Sequence, residues 1–299
     1  MLNNLLAFSL PVLPKVFVGL VAKRYVAGET KEQALATVKS LNGKGFEATL
    51  DILGEHVTSR EEAGKIADAY IDLFHEISDH RLQSNISLKP THLGLDLEYS
   101  ICEQNLFRIL DTAAETGNFL RIDMEDSPHT DDTLMLFRKC VQRYNAVGPV
   151  LQAYMHRSSN DLNQLSQSPL NFRLCKGIYR EPLDIAIQDR AAINDNFISL
   201  LQQAFNADTY VAIATHDRDL IDRALVLIKQ LNIPSSRFEF QVLYGVPMNG
   251  KLAALLAEGF KVRIYVPFGE AWYDYSLRRL KENPNLAGYV LHNLFRKRY

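Results

Sequence analysis

Eight short apolar runs, separated by longer amphipathic stretches, constrain this chain more than any other feature. The runs are 47–53, 85–88, 119–124, 150–155, 171–176, 210–214, 238–243 and 262–266. Each is short enough to be a buried strand. Between them, helical patterns occupy 60–77, 97–116, 133–144, 185–204, 219–231 and 250–258. Strands that alternate with helices pair in parallel, because each crossover needs the length of a helix. Eight such units are the number that closes a (β/α)8 barrel. A doubly wound open sheet is the alternative, but no early Gly-x-Gly-x-x-Gly supports it. No linker rich in Gly, Ser or Pro divides the chain. The expectation is therefore an α/β fold: a distorted, TIM-like (β/α)8 barrel over residues 46–299, behind a helical N-terminal extension over residues 1–45. In that extension, 30–42 reads as a helix, with Thr30 at the N-cap position and Gly43 just past its end.

The barrel expectation locates the chemistry. Active sites of this fold lie at the C-terminal ends of the strands. Every run here ends in polar or ionisable residues: Asp51 and Glu55; Lys89; Asp123 and Glu125; Gln152 and His156; Arg173 and Lys176; Thr215, His216 and Asp217; Gln241 and Tyr244; Tyr265. Singly, each has an ordinary explanation. Lys89 stands before a proline as a loop charge would, Asp123 could pair with Arg121, and His216 or Asp217 could cap the next helix. Their shared placement at one rim is what points to a site.

Other classes of function are disfavoured. With 299 residues, 47% of them hydrophobic, and a formal net charge of −2, the chain offers no electrostatic case for nucleic acid. Cys102, Cys140 and Cys175 are odd in number and far apart, so they fit neither a disulfide framework nor a zinc knuckle. The histidines lack metal-site spacing, and no Ser or Cys sits in a nucleophile elbow. The apolar stretch 5–22 is broken by Pro11, Pro14 and Lys15. It is too short and too interrupted to span a bilayer, and it lacks the features of a signal peptide. A packed leading helix and peripheral membrane contact are the two readings of it.

Two stretches suggest what the rim holds. Lys176-Gly177 ends a strand, and a turn of this kind lets backbone N–H groups and an ammonium approach a phosphate. Lys176 could instead form a Schiff base, as in an aldolase. Further on, Tyr275, Arg278, Arg279 and Glu282 follow helical i, i+3, i+4, i+7 spacing and share a face. Paired arginines beside a tyrosine could receive a small carboxylate, or be a solvated basic face.

The motifs, in chain order, are Leu50-Asp-Ile-Leu-Gly-Glu55, Ser87-Leu-Lys-Pro-Thr-His-Leu-Gly94, Arg121-Ile-Asp-Met-Glu-Asp-Ser127, Leu151-Gln-Ala-Tyr154, Arg173-Leu-Cys-Lys-Gly-Ile-Tyr-Arg-Glu181, Ala214-Thr-His-Asp217, Phe238-Glu-Phe-Gln-Val-Leu-Tyr-Gly245 and Tyr265-Val-Pro-Phe-Gly269 through Arg278-Arg-Leu-Lys-Glu-Asn-Pro284. With one motif per strand, the chain resembles the monofunctional bacterial proline dehydrogenases. The resemblance implies a distorted barrel with non-covalently bound FAD. It implies oxidation of L-proline to Δ1-pyrroline-5-carboxylate, with electrons passed to membrane quinone. It also implies a cytoplasmic protein, peripheral on the inner face of the membrane, and a separate pyrroline-5-carboxylate dehydrogenase for the next step. A hydroxyproline or other cyclic imino-acid dehydrogenase is the alternative on the same fold.

Position by position, the resemblance assigns Arg278 and Arg279 to the substrate carboxylate, with Lys89 as a third cation and Glu282 steadying the pair. Asp123 matches a carboxylate near Lys89, and Met124 borders the flavin. Gln152 and Arg173 match groups on the isoalloxazine ring, with Arg173 near its N5 edge; Asp123 and Arg173 are the expected catalytic pair. Lys176, Gly177 and Tyr179 match the turn under the phosphates and ribose, and Thr215 and His216 match further FAD contacts. Leu243, Tyr265 and Tyr275 match an apolar lid over the proline ring. The chain departs from the pattern at Cys175, at Ile178 where alanine is usual, at Phe268 where tyrosine is common, and at Asp274 where proline is common.

Overall fold

The computed structural model describes residues 24–273, 275 and 276. The leader 5–22, Asp274, Arg278, Arg279 and Glu282 lie outside the described residues.

Parallel strands form one sheet: β1 (Glu47–Ile52), β2 (Ser84–Leu88), β3 (Leu120–Ile122), β4 (Val147–Gly148), β5 (Val150–Gln152), β6 (Asn171–Cys175), β7 (Tyr210–Ala214), β8 (Phe238–Leu243) and β9 (Val262–Phe268). Their spatial order is β4-β3-β2-β1-β9-β8-β7-β6-β5. The two end strands are consecutive in sequence and separated only by Pro149. The chain itself therefore completes the ring, and the two short segments serve as one strand with a break. Proline has no N–H for the ladder. Its carbonyl compensates, accepting from the Arg173 backbone N–H and the Arg121 guanidinium, both at 3.0 Å. Gly148 is required beside it, because a Cβ there would lie 1.9 Å from the Asn171 carbonyl oxygen.

The helices are α1 (Lys31–Asn42), α2 (Arg60–Asp79), α3 (Tyr99–Glu115), α4 (Thr130–Arg143), α5 (Ser158–Leu165), α6 (Arg190–Asn206), α7 (Arg218–Gln230) and α8 (Lys251–Ala257). α1 opens with a capping box between Thr30 and Gln33. Its buried face, Ala34, Leu35, Val38 and Leu41, joins the barrel's own core and packs on β1 and β9.

The eight expected strand sites are present, but some boundaries moved for physical reasons. The predicted helix over 185–204 begins only at Arg190, where the Asp189 side chain caps it through the Ala192 N–H at 2.8 Å. The preceding Ile185 and Ala186 are apolar because they pack on Tyr154 and Met155, not because they face a helix interface. α5 was not anticipated; its eight residues carry a short pattern, with Leu162 and Leu165 among those buried.

Each strand has two different buried faces. The outward face carries Leu50, Ile86, Leu88, Ile122, Phe172, Leu174, Phe238, Phe240 and Ile264, all 1% exposed or less. These pack against the helices, and each contributes roughly 1.5–3 kcal/mol by leaving water. The inward face is mostly polar, and it builds the site.

Candidate active site

The floor of the barrel is an ion-pair layer. The Arg263 guanidinium donates to the Glu239 carboxylate at 2.8 and 3.0 Å, to the Ala48 carbonyl at 2.8 Å, and to Glu47. Burial opposes ionisation of Glu239, yet Arg263 overrides it and holds its pKa down at about 2. Arg121 reaches across to β6, donating to the Asn171 carbonyl at 2.9 Å and its side-chain oxygen at 2.7 Å. The suggested Arg121–Asp123 pairing is therefore not what forms. Both residues face the lumen from one strand, but Arg121 turns to the floor and Asp123 to the rim.

One tier higher, Arg173 crosses the lumen. It donates to Gln241 at 2.6 Å, to Asp123 at 2.6 Å and to the Ser87 hydroxyl at 2.8 Å. Its guanidinium carbon lies 5.1 Å from the Tyr265 ring centre. The Tyr265 hydroxyl donates to the other Asp123 oxygen at 2.9 Å. Burial, with Asp123 beside it, holds this phenol protonated well above its usual range, as a donor must be.

Lys89 stands beside this group and donates to Asp51 at 2.9 Å. Burial alone would neutralise it, but Asp51 and Asp123 more than offset that, so its pKa is raised and it remains an ammonium. Among the described residues its bond to Asp51 uses one of the three donors an ammonium carries.

The opposite wall is built differently. Lys176 donates to Asp217 at 2.6 Å, while the other Asp217 oxygen caps α7 at the Leu220 N–H. Gly177 adopts φ 102°, a conformation that side chains rarely tolerate. A Cβ at this position would sit 2.2 Å from the Tyr154 ring, so only glycine lets the turn lie on that ring. Thr215 turns its hydroxyl to the Asp217 N–H at 3.1 Å. His216 does not cap α7. Its Nε2 lies 2.8 Å from the Leu243 backbone nitrogen and accepts that N–H, which makes it a neutral imidazole.

These walls enclose a cavity of about 450 Å³ at the C-terminal ends of the strands. It brings together Lys89, Asp123 and Met124 from one side, Gln152, Arg173, Lys176, Gly177 and Tyr179 from the next, and Thr215, His216, Leu243, Tyr265 and Tyr275 from the rest of the ring. Tyr275 is buried at its edge. Cys175 also lines it, as a neutral thiol whose pKa burial pushes up to about 11. Ile178 sits half out of the mouth, 42% exposed.

Comparison with known proteins decides the family. The proline dehydrogenase family model matches residues 34–291. The chain belongs to the proline dehydrogenase family. Proline dehydrogenase 1 of Bacillus subtilis is 39% identical over 279 residues, covering 93% of this chain and 92% of that protein. The proline dehydrogenase of Deinococcus radiodurans is 35% identical, over 92% and 90% respectively. Among solved structures, proline utilization A of Bdellovibrio bacteriovorus, crystallised after inactivation by N-propargylglycine, superposes with a TM-score of 0.81 at 25% identity. The match covers 92% of this chain and 34% of that one, so this chain spans about a third of the longer protein.

Against this family background, the lower tiers of the site are what sequence reading missed. Glu239–Arg263, Ser87 on Arg173, Asp51 under Lys89 and Asp217 on Lys176 were not foreseen as pairs. A signal existed for the lumen: polar residues alternate along the strands, as in Arg121-Ile-Asp123, Glu239-Phe-Gln241 and Arg263-Ile-Tyr265. That period of two marks a face. Among the described residues no metal-holding cluster occurs, and no helix is long and apolar enough to cross a membrane.

Proposed function

We propose that this chain oxidises L-proline to Δ1-pyrroline-5-carboxylate with non-covalently bound FAD, and that the electrons leave to a membrane quinone. The observation that carries the reading is that Lys89, held by Asp51, and the Arg173–Asp123–Tyr265 cluster line one cavity, in a chain of the proline dehydrogenase family.

The donor set fits a flavin. Lys176, Thr215 and neutral His216 flank the Gly177 turn, which suits a phosphate-bearing group, while Gln152 and Arg173 offer amide and guanidinium edges to a heteroaromatic ring. When bound, FAD supplies the acceptor for the hydride that leaves the proline ring carbon next to nitrogen. The protein's part is placement. Lys89, with Arg278 and Arg279, holds the substrate carboxylate, and Glu282 steadies the arginine pair. Tyr265, Tyr275 and Leu243 cover the ring and exclude water. Asp123 accepts from Arg173 on one oxygen and from the Tyr265 hydroxyl on the other, and so fixes both against the substrate. The cations near the amine disfavour a further positive charge there, so its lone pair is free to assist hydride loss. The imine product then serves a separate pyrroline-5-carboxylate dehydrogenase.

A Schiff-base role for Lys176 is disfavoured, because its Nζ is engaged by Asp217 at 2.6 Å in a partly exposed setting, not desolvated in an apolar pocket. The test is the visible spectrum of the purified protein before and after anaerobic L-proline. A flavin band that bleaches with proline supports the reading. A flavin that stays oxidised with proline but bleaches with hydroxyproline moves the substrate to the sister activity. Protein that remains colourless with added FAD overturns it.

A further inference from the structure

We infer that Glu239 and Gln241 are positioning residues that set the angle of the Arg173 guanidinium from beneath the active site. The inference rests on the reading above, in which Arg173 meets the flavin.

The geometry is a relay along the inner face of β8. Gln241 accepts from Arg173 Nε through its Oε1 at 2.6 Å, and its Nε2 donates to Glu239 Oε1 at 2.5 Å. An arginine Nε–H is only a donor, and a carboxylate is only an acceptor. Both ends therefore require the same orientation of the amide. Were it turned over, an NH2 would face the guanidinium and a carbonyl would face the carboxylate. Glu239 cannot swing away to permit that, because Arg263 grips both its oxygens and Tyr210 donates to it at 3.1 Å. All three members are nearly sealed from solvent: Glu239 is 2% exposed, Gln241 3% and Arg173 6%. Glu239 is held ionised, with its pKa at about 2, so the acceptor persists across ordinary pH.

The consequence falls on the side of Arg173 that faces the cavity. Gln241, Asp123 and Ser87 take one N–H from each of its three nitrogens. Of five N–H donors, two have no partner among the described residues. Their direction is not free, because a planar guanidinium held at three corners cannot rotate. Gln241 is the corner that ties this plane to the barrel floor. Losing it leaves the charge in place but unlocks its angle.

The test uses the FAD-loaded full chain and three variants. Gln241→Met keeps length and much of the volume but removes both amide bonds. Glu239→Gln keeps shape but removes the lower of the two constraints on the Gln241 amide, leaving only the Arg173 end to orient it. Arg173→Lys tests the underlying reading. The readouts are the midpoint potential of the bound flavin, the rate constant of its reduction at saturating L-proline, and KM for proline. The expected result for Gln241→Met is a reduction rate on the order of 10- to 100-fold slower, KM within about twofold, and a potential shifted in the same direction as in Arg173→Lys. Glu239→Gln should shift both in the same sense, by less. Wild-type rate and potential in Gln241→Met, while Arg173→Lys alters both, would overturn the inference and leave the role of Arg173 standing. Wild-type behaviour in Arg173→Lys would overturn that role and the inference with it. Failure of both β8 variants to fold would make this tier structural only, and would also overturn it.

Discussion

Phe238 and Glu239 are neighbours on one strand, 1% and 2% exposed, yet they are buried for different reasons. Phe238 packs edge-on to Phe240 and Phe205 and tilts against Phe260. It is stabilised by leaving water and by close packing. Glu239 is tolerated only because Arg263, Gln241 and Tyr210 satisfy it. The outward side of each strand thus supplies stability that tolerates apolar exchange. The inward side holds charges that must balance one another, and those charges form the base of the site. One ring of strands serves both purposes because side chains alternate across it.

The sharpest way to break this contrast is to truncate each neighbour. Phe238→Ala and Glu239→Ala should both destabilise the protein, each by about 3–5 kcal/mol, the first through a cavity and the second by taking from the buried Arg263, Gln241 and Tyr210 the carboxylate they share. Chemical denaturation across pH separates them. Glu239 titrates at about 2 in the fold, against an ordinary value of 4.5. Its contribution is full above pH 4.5 and lost as pH falls through 2. The Phe238→Ala deficit should therefore persist in acid, whereas that of Glu239→Ala should shrink. Equal deficits at every pH would show that the ionisation of Glu239 is irrelevant.

A smaller effect is expected from the arginines proposed to bind the substrate carboxylate. Arg278→Met or Arg279→Met should weaken proline binding by roughly 2–3 kcal/mol while FAD stays bound. Equilibrium titration would read this directly, and wild-type affinity in both variants would remove them from the substrate site.

The smallest effect concerns loops outside the lumen. His129 bonds Asp126 through Nδ1 and lies 2.7 Å from Asp96 through Nε2, and Asp96 in turn meets His56 at 2.5 Å. An imidazole between two carboxylates donates from both nitrogens and is therefore charged. Burial opposes this, but Asp126 and Asp96 raise its pKa above 6.5. The tie is complete below pH 6.5 and is lost as pH rises through the raised value. Amide exchange around residues 54–58 should quicken as pH rises through that raised value, by about a few-fold, and His129→Gln should abolish the pH step. The same step in the variant would assign it elsewhere.

Much of this was readable beforehand because it is local. The capping box of Thr30, the cap at Asp217 and the turn at Gly177 depend on residues a few positions apart. The strand sites were readable from apolar runs, and the rim from what ends them. The break at Pro149 was less so. A two-residue strand such as Val147–Gly148 has no pattern of its own and exists because β3 lies beside it.

The sequence by itself determined which residues face inward and which end each strand, since alternation is a property of the strand alone. Tertiary structure decided who meets whom. Asp123 could have met Arg121, two residues away on its own strand, but it meets Arg173, fifty residues on. Lys89 found Asp51, and Lys176 found Asp217. The reason is the stagger and tilt of a closed sheet, which set how far one inward side chain stands above another. That quantity belongs to the whole ring, and no single strand encodes it.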